Sequence, residues 1–280
     1  MKILIKKIID LILLKLNYKI IGVKSTVSNN NLDAILKFLL KKNPIMFDVG
    51  ANTGQSIERF LKIRKNALIH SFECSPQIFD ILKKNYSKKK NYLNKLAIGS
   101  EKKRINFYTF KDSRIASSLE IDKKSKFYKG RIINTNSNYR DFGKKILVNQ
   151  TTIDQYSKIK NIKKIDFLKV DTQGTSDKVL MGAKRLLKKQ KISIIQLELI
   201  LGFAYTKVNS FFDIEKILNK YNYKLIYIQN SGNIISFSNF QTDLLYVNLK
   251  IFNYIKSLHI KNIKIKDVMN STNNKHTESY

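Results

Sequence analysis

The chain has 280 residues, 43% of them hydrophobic, and a formal net charge of +32. That apolar content supports a real core, so wholesale disorder is excluded, and the length suits one large α/β domain with appendages. One cysteine, Cys74, excludes a disulfide framework and a cysteine-rich zinc site, and three scattered histidines (His70, His259, His276) give no metal-ligand spacing.

A reducing, cytoplasmic setting fits this cysteine usage. The charge attracts phosphate-bearing partners, and RNA, DNA and anionic membranes are the natural suspects. Yet the lysines spread along the chain (Lys83-Lys84, Lys88-Lys89-Lys90, Lys144-Lys145, Lys188-Lys189) and form no single stripe interleaved with aromatics. Lys, Asn and Ile abound while Arg is scarce, as AT-biased coding would produce. Dedicated nucleic-acid binding is therefore not expected.

At the N-terminus, Ile5, Ile8, Ile9, Ile12 and Leu16 fall on one helical stripe with Lys2, Lys6 and Lys15 off it. Asp10 and Lys15 interrupt the apolar stretch and no small-residue cleavage site follows, so a signal peptide is not expected. Residues 1–42 read as a basic amphipathic helical segment. It either docks on the domain or associates weakly with an anionic membrane surface, which would make the protein membrane-peripheral. No apolar run is long enough for a transmembrane helix.

Residues 43–250 read as the main domain. Ile45-Met46-Phe47 is a buried strand ending at Asp48, and past Gly54 a helix buries Ile57, Phe60 and Leu61. A second strand runs from Ala67 to Phe72 and ends at Glu73. Ser75-Pro76 then opens a helix with Ile78, Phe79, Ile81 and Leu82 as its stripe. Tyr92 to Ile98 reads as a third strand, completing an alternation that signals a doubly wound sheet. Ile105 to Phe110 and Lys145 to Ile153 have strand character, separated by a polar stretch around Ser117-Ser118 too long for a routine connector. Alternation then resumes. Ile165 to Val170 is a strand ending at Asp171, and Ser176 caps a helix carrying Val179, Leu180, Ala183, Leu186 and Leu187. Ile192 to Leu199 is a strand containing Glu198. Ser210 opens a helix with Phe211, Phe212, Ile214, Ile217 and Leu218, and Tyr223 to Ile228 and Leu244 to Val247 are the last strands. Residues 251–280 read as a polar tail.

The chemistry gathers at strand ends. Asp48-Val49-Gly50-Ala51-Asn52-Thr53-Gly54 lies where a strand hands over to a helix, and its spacing differs from the dinucleotide pattern Gly-x-Gly-x-x-Gly. An acid followed by a glycine pair and free helix amides suits a zwitterionic ligand. Glu73 ends the next strand, where a carboxylate can accept both ribose hydroxyls. A nicotinamide nucleotide is compatible with the same pair.

These residues, together with Phe72-Glu73-Cys74-Ser75-Pro76, Ala97-Ile98-Gly99, Thr152-Ile153-Asp154 and Lys169-Val170-Asp171-Thr172-Gln173-Gly174, resemble the FkbM methyltransferase family. Val179 to Ala183, Gln196-Leu197-Glu198 and Gln241 to Val247 extend the resemblance to about Val247. It implies a Rossmann-like class I methyltransferase fold with a seven-stranded, mostly parallel sheet. It also implies S-adenosylmethionine as donor and a hydroxyl acceptor on a sugar, glycan or other small molecule. The donor-binding residues it implies are Asp48, Gly50, Asn52, Gly54, Glu73, Ala97 and Asp171, with Asp171 also the catalytic candidate and no metal ligand. The family often has Asp-x-Glu-Gly-x-Glu where this chain has Asp171-Thr172-Gln173-Gly174-Thr175-Ser176.

Asp171 is open to three roles: base, acceptor-positioning group, or ligand of the donor amine. Lys169, two residues earlier on the same sheet face, is expected to pair with Glu198, because a buried ammonium needs a partner. His70 reads as a satisfied core histidine and Cys74 as a packing residue. Two alternatives stand beside the O-methyltransferase reading: a ribose methyltransferase of nucleic acid, and a non-catalytic membrane-associated protein keeping the nucleotide fold. Acceptor recognition is expected from the loop Lys111 to Lys144.

Overall fold

The computed structural model describes residues 30–87, 91–110, 117–119, 142–200, 208–230 and 241–260. The expectations for the N-terminal stripe and for most of the loop from Lys111 to Lys144 lie outside these residues. In chain order the elements are α1 (Asn30–Leu39), β1 (Ile45–Val49), α2 (Gln55–Ile63), β2 (Leu68–Phe72), α3 (Pro76–Tyr86), β3 (Asn91–Asn94), β4 (Ala97–Ile98), β5 (Lys103–Phe110) and β6 (Phe142–Thr151). There follow α4 (Ile153–Ile159), β7 (Ile165–Val170), α5 (Ser176–Met181), α6 (Lys184–Lys188), β8 (Ile192–Ile200), α7 (Phe211–Lys220), β9 (Lys224–Asn230), β10 (Gln241–Val247) and α8 (Leu249–Ile260).

Period-two alternation in the central strands supplies two cores, one on each face of a seven-stranded sheet. Phe47, Val49, Leu168, Val170, Ile195 and Leu197 face α4 to α7, where Ile153, Tyr156, Val179, Leu180, Leu187, Ile214 and Leu218 are buried with them. Met46, Phe167, Ile194 and Leu245 face the other way, against Leu32 and Leu36 of α1, Ile57 and Phe60 of α2 and Leu82 of α3. Burial on both faces is why these strands are nearly continuous apolar runs.

The sheet order is β3-β2-β1-β7-β8-β10-β9. β10 runs antiparallel to β8 and β9, and the other neighbouring pairs are parallel. This is the seven-stranded, mostly parallel doubly wound sheet that the sequence resemblance implies. The order reverses between β1 and β7, which places a crevice at their carboxyl ends, at Asp48 and Asp171. Strands β4, β6 and β5 form a separate three-stranded sheet, and its segment 117–119 bridges back through Tyr108 and Ser117.

Several sequence expectations are corrected. The run Tyr92 to Ile98 is two strands, because the last pair with β2 is Phe72 with Asn94; Ala97 then pairs with Gln150 of the small sheet. The helix after Asp171 starts at Ser176 with Thr175 at its cap, and it breaks at Gly182-Ala183 into α5 and α6. A side chain at Gly182 would lie 2.0 Å from the Gly99 carbonyl oxygen, so the break lets the β4 turn pack there. Asp154 caps the second piece, accepting from the amides of Arg185 and Leu186 at 2.6 and 3.1 Å. Ile81 and Phe212 are exposed, since Leu82 and Tyr86, and Ile214 and Leu218, make the buried stripes of their helices. Residues 251–260, assigned to a polar tail, belong to α8, whose Ile251 and Phe252 pack on the second core.

Candidate active site

The turn after β1 is shaped by the chain itself. Gly50 and Ala51 both donate to the Phe72 carbonyl at 3.0 Å. Gly50 has φ of +84°, and a Cβ there would lie 1.9 Å from the Asp171 carbonyl oxygen. The glycine therefore permits β1 and the end of β7 to approach at the switch point. Gly54, with φ of +104°, stands at the start of α2, where a Cβ would collide with the Tyr86 ring at 2.1 Å.

Glu73 closes this turn. Its Oε2 accepts from the Asn52 amide at 3.0 Å and its Oε1 from the Ser75 amide at 2.8 Å. Asn52 adopts φ of +49°, which aims its amide at the carboxylate, while its Oδ1 accepts from Thr53 at 2.8 Å. Burial raises the pKa of Glu73, and the amides of Ser75, Asn52 and Cys74 oppose that rise.

A row of polar residues crosses the sheet on the α2 face. Ser71, Asp48, Lys169 and Gln196 stand level with one another on β2, β1, β7 and β8. Asp48 has no exposed surface, and neither of its oxygens accepts a hydrogen bond of normal geometry. Its nearest cation is Lys169, 3.9 Å away, and burial pushes its pKa up to about 6 against the pull of that ammonium. Lys169 Nζ sits 2.9 Å from Asp171 Oδ2. The expected Lys169–Glu198 pair is thus corrected: Lys169 stands level with Gln196, and Glu198 lies one step past Val170–Leu197, level with Asp171.

Gln173 links the two acids at the rim. Its side-chain amide donates to Asp171 Oδ1 at 3.2 Å and to Glu198 Oε2 at 2.6 Å. Asp171 is held below the usual carboxylate range by Lys169 and its hydrogen bonds, which outweigh burial. Burial and the Asp171 charge push Glu198 up to about 9. Asp243 on β10, opposite Glu198, is also raised, chiefly by burial. Arg59 of α2 reaches this row, donating to Asp33 at 2.6 Å and to Gln196 at 3.3 Å.

The loop 172–175 is gripped from outside. Ser117 Oγ donates to the Gln173 carbonyl at 3.0 Å, and Asn209 donates to that of Gly174 at 3.2 Å. Leu119 and Val208 close on Gly174 so tightly that a Cβ would lie 3.1 and 3.2 Å from them. The insertion carrying the small sheet therefore abuts the Asp171 turn.

Asp48, Gly50, Asn52, Glu73 and Asp171 are thus joined through one turn and its partners, with Gly54 starting the helix behind it. Ala97 stands apart in β4, beyond the Asn94 carbonyl that accepts from the Glu73 amide. His70 lies in the core under β2, its Nδ1 2.9 Å from the Tyr156 hydroxyl and its ring stacked on Tyr92. Gln173, Arg59 and Asp243 escaped the sequence reading of the site. Gln173 could have been found from its place inside the Asp171–Gly174 turn, whereas Arg59 carries no local signal. Among the described residues, no group of three or more His, Cys, Asp or Glu is placed to hold a metal ion, and no helix is long and apolar enough to cross a membrane.

Comparison with known proteins adds four findings. The model of the methyltransferase FkbM domain matches residues 48–225. The 2-O-methyltransferase NoeI of Sinorhizobium fredii (strain NBRC 101917 / NGR234) is 26% identical over 160 residues, covering 56% of this chain and 64% of that protein. This chain therefore matches somewhat under two thirds of that relative's length. Among solved structures, a methyltransferase FkbM from Methylobacillus flagellatus KT superposes with a TM-score of 0.48 at 15% identity, over 75% of this chain and 45% of that one. A fibrillarin/Nop5p complex gives 0.42 at 13% identity, over 75% of each chain.

Proposed function

This chain belongs to the FkbM methyltransferase family, matched over residues 48–225, and from that premise we propose that it transfers the methyl group of S-adenosylmethionine to a hydroxyl oxygen on a sugar, glycan or other small molecule. The observation that carries the reading is the convergence of Glu73, the Gly50–Gly54 turn, Asp171 and Glu198 at the carboxyl ends of β2, β1, β7 and β8, across the switch point. The similarity to a 2-O-methyltransferase supports oxygen as the acceptor atom.

The residues suit this donor, which combines a ribose diol, a carboxylate and two cationic centres. Glu73 keeps lone-pair capacity beyond its backbone amide bonds and would accept the ribose hydroxyls. The backbone of Gly50, Asn52 and Gly54 would line the methionine portion, and Ala97 the base. Asp48 is a buried carboxylate only partly offset by Lys169 at 3.9 Å, and a second cation nearby would favour its ionised form. Asp171 would face the same cation or fix the acceptor.

The bound donor supplies a methyl group already attached to a good leaving group. The protein then has to align the acceptor oxygen, exclude water and remove one proton. Asp171, ion-paired to Lys169, is a fixed anion suited to orienting, and too weakly basic to be the preferred proton acceptor. Asp171, Glu198 and Asp243 gather at the rim beside Lys169 and Arg59, an acid-rich setting that favours a neutral acceptor over a polyphosphate.

Titration calorimetry with S-adenosylmethionine and S-adenosylhomocysteine tests the donor. Both should bind, and Glu73→Ala should weaken binding by about 1.5–3 kcal/mol. Binding of NADH with none of either sulfur compound would defeat the reading. Transfer of labelled methyl to a panel of neutral glycosides and polyols tests the acceptor class.

A further inference from the structure

Asp171 and Glu198 are two carboxyls at the crevice rim, linked by one amide, and they differ in what holds them. Asp171 is fixed by Lys169 Nζ at 2.9 Å and by Gln173 at 3.2 Å. Among the described residues no ion pair forms at Glu198; it accepts from Gln173 at 2.6 Å and is half-buried at the end of β8, where its strand reaches the rim. Among the described residues, the charged groups that act on it most are Asp171 from the end of β7, Lys169 within β7 and Asp243 from β10.

Resting on the methyltransferase reading above, we propose that Glu198 is the catalytic base that takes the acceptor's proton, with Gln173 the positioning residue that holds it beside Asp171. In the balanced step the hydroxyl oxygen bonds to the methyl carbon and the carbon–sulfur bond breaks, its electron pair staying on sulfur. The hydroxyl proton passes to a Glu198 oxygen, turning carboxylate into carboxylic acid. Proton affinity supports the choice between the two acids. Burial, the charge of Asp171, a hydrogen bond from protonated Glu198 to Asp171, and the charge of Asp243 outweigh the pull of Lys169, which makes Glu198 the more basic of the pair. Gln173 donates to Glu198, so it favours the ionised form that a base requires.

Two measurements on the full chain test this. The first needs no acceptor. Infrared difference spectra over a pH titration should show a protonated carboxyl band disappearing near pH 9, absent in Glu198→Gln and moved to higher pH in Gln173→Met. A wild-type spectrum with no carboxyl titrating above neutrality would overturn the proposal even if the variants fail to fold. The second uses labelled methyl transfer to the neutral glycoside panel, with donor affinity measured alongside. Glu198→Gln should lose about 10²–10⁴-fold in turnover with donor affinity kept, and should lose the rise of activity with pH. Gln173→Met should keep donor affinity and shift that rise to higher pH. Wild-type rates and pH profile in Glu198→Gln would overturn the assignment alone. Donor binding without transfer to any hydroxyl by the wild type would instead overturn the functional reading beneath it.

Discussion

Asp48 and His70 are buried ionisable residues on neighbouring strands, and the direction in which burial moves each one decides how stability follows pH. Burial raises Asp48 to about 6 from an ordinary 3.8, so the folded state holds this proton more tightly than the unfolded chain. Stability is then lost as pH rises from about 4 to 6 and stays lower above that window. Asp48→Asn should therefore be more stable than wild type at pH 7.5, by up to about 3 kcal/mol, and equal to it near pH 4. Denaturant unfolding at the two pH values checks this; a loss of stability at pH 7.5 would mean that the Lys169 contact outweighs burial. His70 moves the other way, lowered to about 4 chiefly by burial. Its contribution is full above about pH 6.5 and is lost as pH falls towards 4, a span of about 3 kcal/mol that His70→Phe should flatten. Both residues were legible in the sequence as strand residues beside the site. Their surroundings were not, because the complete burial of Asp48 and a Tyr156 partner for His70 depend on elements far along the chain.

The elements divide by how local their causes are. Helix α7 is local: Ser210 and Asp213 form a reciprocal capping box that the sequence announces. Helix α6 is not. Ala183 at its cap offers no side-chain acceptor, and the role passes to Asp154, which reaches its first amides from α4. Asp154→Ala should therefore cost about 1–2 kcal/mol, as loss of a cap does, although residue 154 lies about thirty positions away. Thermal or denaturant unfolding measures it, and donor affinity should change little. A loss below about 0.3 kcal/mol would show that water replaces the cap without penalty. The glycine turn is a mixed case. Its position at a strand end was readable, and the expected reasons for Gly50 and Gly54 were a tight backbone turn and close approach of a ligand. In the fold those spaces adjoin the Asp171 carbonyl and the Tyr86 ring, contacts that no local pattern encodes.

At the scale of the whole molecule the +32 charge is the dominant long-range feature. Dispersed lysines around a carboxylate-lined crevice should bind RNA weakly, without sequence preference, and with steep loss as salt rises. Filter binding from 50 to 200 mM salt checks this, and submicromolar, structure-selective binding at physiological salt would bring the ribose methyltransferase reading to the front. The sequence by itself determined the alternation of strands and helices, the family and the acids at the strand ends. Each of these is written in local periodicity or in contiguous motifs. Tertiary structure alone decided the partners. It split Tyr92 to Ile98 between two sheets and gave Lys169 to Asp171 instead of Glu198. It also set Gln173 between two carboxyls and brought Ser117 against the Gln173 carbonyl. The physical reason is register: which residues stand level across a parallel sheet is fixed by how separate strands and helices pack, and a shift of two positions exchanges one ion pair for another without altering any local pattern.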